Sequence, residues 1–211
     1  MIFVTDDGSH SLHVSELNEH YHSTHGAIQE SQHIYIQNGL NYLQKQTLNI
    51  LEIGFGTGLN VLLTALHAGT KTIHYTTLEP YPLHHDIWSK LNYPDILNAS
   101  DCFTQIHTCP WEMATPIQPN FYLKKHQISL QNYQNTDPAD LIYFDAFGPA
   151  ATPDLWTQDQ FQKLYDSLNP GGILITFSAK GTVRQALSNV GFTVTKLPGP
   201  PGKTHITRAK K

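Results

Sequence analysis

The sequence predicts an α/β fold: a mostly parallel, doubly wound sheet with helices on both faces and an antiparallel hairpin at its C-terminal end. Three observations predict it. Short apolar runs that read as buried strands alternate with helix-like segments. A glycine-rich turn, Gly54-Phe55-Gly56-Thr57-Gly58, follows the first of those runs, which ends Ile50-Leu-Glu52-Ile53. Two β-rich stretches, Phe192–Leu197 and His205–Arg208, close the chain around Pro198-Gly-Pro-Pro-Gly202.

Taken in order, residues 1–45 precede the first core strand and read as a lid that folds back over the site. Residues 46–211 read as a Rossmann-like core, the whole being one domain at 211 residues. Gly8–Val14 reads as a hairpin-like start. Glu30–Leu43 reads as a helix with Ile34, Ile36, Leu40 and Leu43 as core contacts. After the glycine turn come a helix over Leu59–Ala68, a strand over Ile73–Leu78 and a helix over Leu83–Leu91. Pro110, Pro116 and Pro119 then bound turns. Phe121-Tyr-Leu123 and Ile128-Ser-Leu130 flank Lys124-Lys-His-Gln127 and read as an inserted hairpin. Asp140–Asp145 is the fourth strand. Thr152-Pro153 opens a helix by a cap and a first-turn proline, running to about Leu168 and stopped by Asn169-Pro-Gly-Gly172. Ile173–Ser178 is the fifth strand, and Thr182–Val190 a helix ended by Gly191.

Composition narrows the function classes. No apolar run approaches the ~18 residues of a membrane span. The start, Met1-Ile-Phe-Val-Thr-Asp-Asp7, lacks the basic and apolar regions of a signal peptide. Cytoplasm is the expected location. Cys102 and Cys109 stand too far apart for a Cys-x-x-Cys pair, and no disulfide framework is expected. Thirteen histidines, among them His20, His22, His25, His84 and His85, invite a metal reading. No cysteine cluster or His-Glu-x-x-His pattern supports it, so no metal is expected. Net charge is −4, yet Lys180–Lys211 holds seven Lys and Arg and no acid. That asymmetry reads as a positive face for phosphates, or as a tail that merely solubilises the chain.

The glycine turn bears on the cofactor. The dinucleotide fingerprint is Gly-x-Gly-x-x-Gly, with pyrophosphate on a helix N-terminus. Here the spacing is Gly-x-Gly-x-Gly, and Glu52 stands two residues before Gly54. A carboxylate there repels a pyrophosphate but helps hold a cation, directly or through water. The pattern resembles motif I of class I S-adenosylmethionine-dependent methyltransferases, whose cofactor carries an ammonium and no phosphate. Glu79 ends the second strand 21 positions beyond Gly58, where an acid grips an adenosine ribose through its hydroxyls. Asp101 is a candidate for the adenine edge. Asp145-Ala-Phe147-Gly148 follows the fourth strand. The first and fourth strands flank the switch in strand order, where ligands bind. Asp145 is therefore expected near cofactor and acceptor, to orient an amine or take its proton. Phe147 is a candidate for stacking on a base, or else a buried aromatic.

The later motifs are more specific. Gly54–Asn60, Tyr143–Pro149, Pro153–Trp156, Leu168–Gly172, Thr176–Lys180 and Leu197–Lys203 resemble the methyltransferase domain of the MnmC family, the tRNA (5-methylaminomethyl-2-thiouridine) methyltransferases. Asp7–His10, Tyr21–Ser23 and Gly26–Ser31 resemble that family's opening segment. The resemblance covers nearly the whole chain. It implies methyl transfer from S-adenosylmethionine, leaving S-adenosylhomocysteine, to the amine of a 5-aminomethyl uridine in the tRNA anticodon loop. It places the glycine turn, with Gly54, Phe55, Gly56, Gly58 and Asn60, and Glu79 on the cofactor, the Asp145 loop at the acceptor, and the segment from Tyr21 to Glu30 over the pocket. Read from the residues themselves, Glu52 and Asp101 join the cofactor contacts, Tyr21, Glu30 and Phe147 fall to the substrate, and Lys180, Arg184 and Lys203 to its phosphates. Many family members carry a fused flavin-dependent oxidase. This chain ends after the last core strand, so a stand-alone form without FAD is expected, coupled to whatever enzymes install the aminomethyl group. Gly26-Ala-Ile-Gln-Glu-Ser31 departs from the family's usual Gly-Leu-Glu-Glu-Thr.

Three other readings remain open on the residues. One is a class I methyltransferase with another RNA or small-molecule acceptor. Another is an aminopropyltransferase of the spermidine-synthase type, which needs more acids after the fourth strand than Ala150-Ala151 offers. The third is a non-catalytic RNA-binding protein of the same fold.

Overall fold

The computed structural model describes residues 1–211. Three short strands, β1 (Ile2–Val4), β2 (His10–Val14) and β3 (Glu19–His20), form a small antiparallel sheet. The central sheet has eight strands: β4 (Thr47–Ile53), β5 (Thr72–Leu78), β6 (Thr115–Gln118), β7 (Phe121–His126), β8 (Ala139–Phe144), β9 (Leu168–Thr176), β10 (Thr193–Pro198) and β11 (His205–Lys210). Their spatial order is β10-β11-β9-β8-β4-β5-β7-β6. Strands β7, β5, β4, β8 and β9 run parallel; β11 is antiparallel to both its neighbours. This is the doubly wound sheet the sequence predicts, including its terminal hairpin.

Helices cover both faces. Every residue of β8 is buried, as a central parallel strand requires. In β4, alternate side chains enter opposite cores. Leu48 and Ile50 pack with α2 (Leu59–Leu66) and α5 (Ser100–Thr108), whereas Leu51 and Ile53 pack with α6 (Gln158–Asp166) and α7 (Gly181–Asn189). The same pleat sends Glu52 to the α2 face.

Several segments differ from the sequence reading. Phe121–His126 does not pair with Ile128–Leu130 but is the third parallel strand, paired with β5 in register Tyr75↔Leu123. Its hairpin partner is the preceding Thr115–Gln118, and Ile128–Leu130 is a loop. Burial alternates along β7, and the inward side includes Lys125. Its ammonium donates to the carbonyls of Ile106 and His107, both at 2.8 Å, and so caps α5. The Leu83–Leu91 helix shrinks to α3 (His85–Trp88), followed by α4 (Tyr93–Ile96). Glu30–Leu43 is not one helix. α1 (Ala27–Ser31) widens into a π-helical turn at Gln32–Gln37 and ends before a 3₁₀ turn at Leu40–Tyr42. Gly39 sits at that break, where any Cβ would run into the Tyr35 carbonyl.

Thr152 does not cap a long helix. Its hydroxyl donates to the Phe147 carbonyl at 2.7 Å, and only one 3₁₀ turn follows, Pro153–Leu155. Thr157 caps α6 instead, accepting from the Gln160 N–H. Asn169–Gly172 begins β9 rather than separating it from the helix, with a register shift against β8 between Ala139 and Leu141.

Two substitutions test this architecture. Phe121 is fully buried against Tyr75. Phe121→Ala is expected to cost about 3–5 kcal/mol in urea unfolding, whereas a solvent-side hairpin would lose little. Gly54 has φ +98°, and an added Cβ would stand 2.8 Å from the Asp145 carbonyl oxygen. Gly54→Ala should therefore lower unfolding stability by roughly 1–3 kcal/mol through backbone strain alone.

Candidate active site

β4 and β8 are neighbours at the point where the strand order reverses, and a cavity of about 800 Å³ opens beyond their carboxyl ends. That size and place suit a small-molecule site. The glycine turn forms one wall. The N–H groups of Gly54 and Phe55 both donate to the Leu78 carbonyl, at 3.0 and 3.3 Å, and tie the turn to the end of β5. Gly58 N–H donates to Phe55 O at 2.8 Å and leads into α2.

Glu79 is fixed by that turn. One carboxylate oxygen accepts from Gly56 N–H at 3.0 Å and the other from Tyr81 N–H at 2.9 Å. Burial raises its pKa against the pull of those two donors. Tyr81 itself stands 84% exposed at the cavity lip.

Asp145 lies across the cavity, clamped at both oxygens. Tyr35 donates its hydroxyl to Oδ1 at 2.5 Å, and the Asn60 amide donates to Oδ2 at 2.8 Å. Burial pushes the Asp145 carboxyl up to about 7, although both donors favour its ionised form. Near neutral pH it is thus poised to take or release a proton. The other amide atom of Asn60, Oδ1, is buried without a partner.

Glu52 does not line the cavity. The pleat turns it under α2, fully buried, where it accepts from the Thr77 hydroxyl at 2.7 Å. Burial pushes its carboxyl up to about 8, so it is mostly neutral rather than a counter-charge for a cation. Asp101 is also displaced: it is exposed in the first turn of α5, outside the cavity. The loop 128–131 lines that side instead.

The N-terminal segment forms the roof. Tyr21 lies over Gly56, where a Cβ would approach its ring to 3.1 Å, and meets Phe147 edge-on with centroids 5.1 Å apart. Burial, with Glu79 nearby, pushes the Tyr21 phenol up to about 12. His22 reaches the Thr57 hydroxyl at 3.0 Å, and burial pushes its imidazole down to about 4, leaving it neutral. Glu30 accepts from Ser23 N–H at 2.7 Å and pairs with Lys203 at 2.7 Å. Lys203 is thereby held by a carboxylate, not free for phosphate as expected. Arg184 is likewise diverted: its Nε donates to the Ala179 carbonyl at 3.3 Å, and it lies outside the main cavity. Lys180 is exposed. No cluster of three His, Cys, Asp or Glu side chains could hold a metal ion, and no helix is long and apolar enough to cross a membrane.

Sequence reasoning missed Tyr35, His22 and Thr57 as parts of one site. Tyr35 sits inside the apolar run Ile34-Tyr-Ile36 and reads there as core. Only the π-helical turn aims its hydroxyl at Asp145.

Comparison with known proteins agrees with this geometry. The family model described as S-adenosyl-L-methionine-dependent methyltransferase matches residues 117–211. A "tRNA 5-methylaminomethyl-2-thiouridine biosynthesis bifunctional protein MnmC" from Cupriavidus necator is 30% identical over 206 residues, covering 90% of this chain and 31% of that protein. The protein of the same name from Aromatoleum aromaticum is 28% identical, covering 98% and 34%. The chain thus spans about a third of the length of these relatives. Among solved structures, MNMC2 from Aquifex aeolicus superposes with a TM-score of 0.81 at 24% identity, covering 99% of this chain and 69% of that one. Spermidine synthase from Thermotoga maritima gives 0.60 at 15%, covering 96% and 69%, which marks a shared fold alone. Residues 117–211 thus match the S-adenosyl-L-methionine-dependent methyltransferase model, nearly the whole chain is similar to about a third of the MnmC proteins, and its fold is that of MNMC2.

Proposed function

We propose that the chain methylates the primary amine of 5-aminomethyl-(2-thio)uridine at the tRNA wobble position, giving the 5-methylaminomethyl nucleoside. One observation carries this reading: a carboxylate clamped by Tyr35 and Asn60 shares a single cavity with the glycine turn and Glu79. The homologues' name supports the acceptor, since the nucleoside it specifies bears an N-methyl group.

The residues fit S-adenosylmethionine. Gly54, Phe55, Gly56 and Gly58 present a wall of main chain, Glu79 suits the ribose hydroxyls, and the unpartnered Asn60 Oδ1 suits the ammonium. When bound, that cofactor supplies a methyl group on a sulfonium. Glu52 acts from below, holding Thr77 and the strand end rather than the cofactor.

The chain's own work is positioning and proton handling. An alkyl amine is mostly protonated near pH 7 and must lose that proton to become a nucleophile. Asp145 receives it through a free lone pair, its orientation already set by Tyr35 and Asn60. Tyr21 and Phe147 frame the base, which an anticodon loop offers unpaired. Such a substrate places the reaction in the cytoplasm, downstream of the enzymes that install the aminomethyl group.

Two measurements test the reading. Labelled S-adenosylmethionine and tRNA from a strain lacking the modification should yield labelled 5-methylaminomethyl-(2-thio)uridine by nucleoside mass spectrometry; an unlabelled digest refutes the assignment. For Asp145→Asn, single-turnover rates should fall by about 10²–10⁴, with cofactor affinity nearly unchanged. The wild-type rate should climb through about pH 7 as Asp145 ionises. Tyr35→Phe removes a hydrogen bond that favours the carboxylate, so that rise should move to higher pH. An unmoved profile would release Tyr35 from this role.

A further inference from the structure

Beyond Gly148 and Phe177 the cavity continues into a second, shallower groove of about 470 Å³. The two share Glu19, Gly148, Phe177 and Lys203. The groove lies on the carboxyl edge of the sheet, where β9 runs into Ser178–Lys180, β10 ends and β11 begins at His205. Its wall carries Lys180, Lys196 and His205. Lys180 and Lys196 are exposed and make no ion pair, whereas Lys203 at the junction is held by Glu30. Glu19 is the one acid facing them.

The fold sorts five of the seven basic residues from Lys180 to Lys211 into two groups. Lys211 donates to the carbonyls of Tyr165 and Leu168, at 2.7 and 2.8 Å, and Arg208 lies 3.7 Å from the Tyr42 ring centre. Those two and Arg184 serve the structure. Lys180 and Lys196 serve nothing internal. α7 starts at Gly181, right after Lys180, and no side chain caps its first turn. Its dipole adds positive potential at that end.

We propose that this groove binds the phosphodiester backbone of single-stranded RNA next to the nucleotide whose base occupies the main cavity. The inference rests on the acceptor assigned above. A base lying against Asp145 must send its own backbone out of the cavity, and the saddle at Gly148 and Phe177 leads that backbone onto Lys180 and Lys196. Lysine ammoniums attract phosphate as point charges and read no base. The groove therefore supplies affinity and register, and the cavity supplies selectivity.

The test is fluorescence anisotropy of a labelled RNA stem-loop with a seven-nucleotide loop (roughly the size single-strand modules engage), titrated with the full chain across a salt series. For Lys180→Gln/Lys196→Gln, binding should weaken and the slope of log K against log salt should flatten by ~1.4, roughly 0.7 per lost phosphate contact on a single strand. Lys210→Gln lies outside both cavities and should leave the slope unchanged. Cofactor affinity by calorimetry should be the same in all three. A double variant with wild-type affinity and slope overturns the groove, as does wild-type protein whose RNA binding ignores salt. Competition by polyglutamate as effective as that by RNA overturns it in favour of an acidic protein partner. The two proposals fail separately. Methylated tRNA with an unchanged slope keeps the activity and removes the groove; a flattened slope with no methylated product does the reverse.

Discussion

The structure depends on how closely two strand ends approach. Asp145 N–H donates to the Ile53 carbonyl at 3.0 Å, and the Asp145 carbonyl passes where a Gly54 side chain would begin. Only a residue without Cβ permits this contact. Because of it, the turn after β4 and the loop after β8 leave the sheet side by side. One supplies bare main chain and the other a carboxylate. The cavity between them is the gap between the crossover that leaves β4 toward β5 and the one that leaves β8 toward β9, which diverge in opposite directions.

The pleat then settles the charges. Glu52, Tyr75, Thr77, Tyr143 and Asp145 follow the period of two onto the α2 face, where Asn60 and Tyr35 meet them. Two carboxyls so near one another and so buried cannot both ionise cheaply. Glu52, whose burial outweighs the hydrogen bond from the Thr77 hydroxyl, is the one pushed furthest up, to about 8. Asp145, with two good donors, is the one that ionises first.

Features legible in the sequence were those carried by local chemistry. The glycine spacing, the acid at Glu79, the strand ending in Asp145 and the proline-rich turn between β10 and β11 all express short-range constraints. Others depend on pairing across the chain. Nothing local in Phe121–His126 says whether it pairs with Thr115–Gln118, with Ile128–Leu130 or with β5, and the lysine pair obscured the inward position of Lys125. Glu52 was misplaced for a related reason: its position in the motif is visible, but which face it takes depends on where α2 packs. Tyr35 was hidden by its apolar neighbours and by a helix that changes its winding.

The roof shows the same interplay of distant segments. Glu30 and Lys203 are 173 positions apart in sequence, yet their ion pair joins the N-terminal cover to the terminal hairpin. His33 strengthens the join through its ring contact with the Pro198 carbonyl at 2.9 Å, and the His25 ring packs on Gly202. A buried pair of this kind adds little net stability, since desolvation offsets much of the attraction. Its effect is geometric. It keeps Lys203 at the saddle between cavity and groove, under the same roof that carries Tyr21. Lys203 at the same time offsets the repulsion of Glu30 on Asp145, which favours the ionised form of that carboxyl.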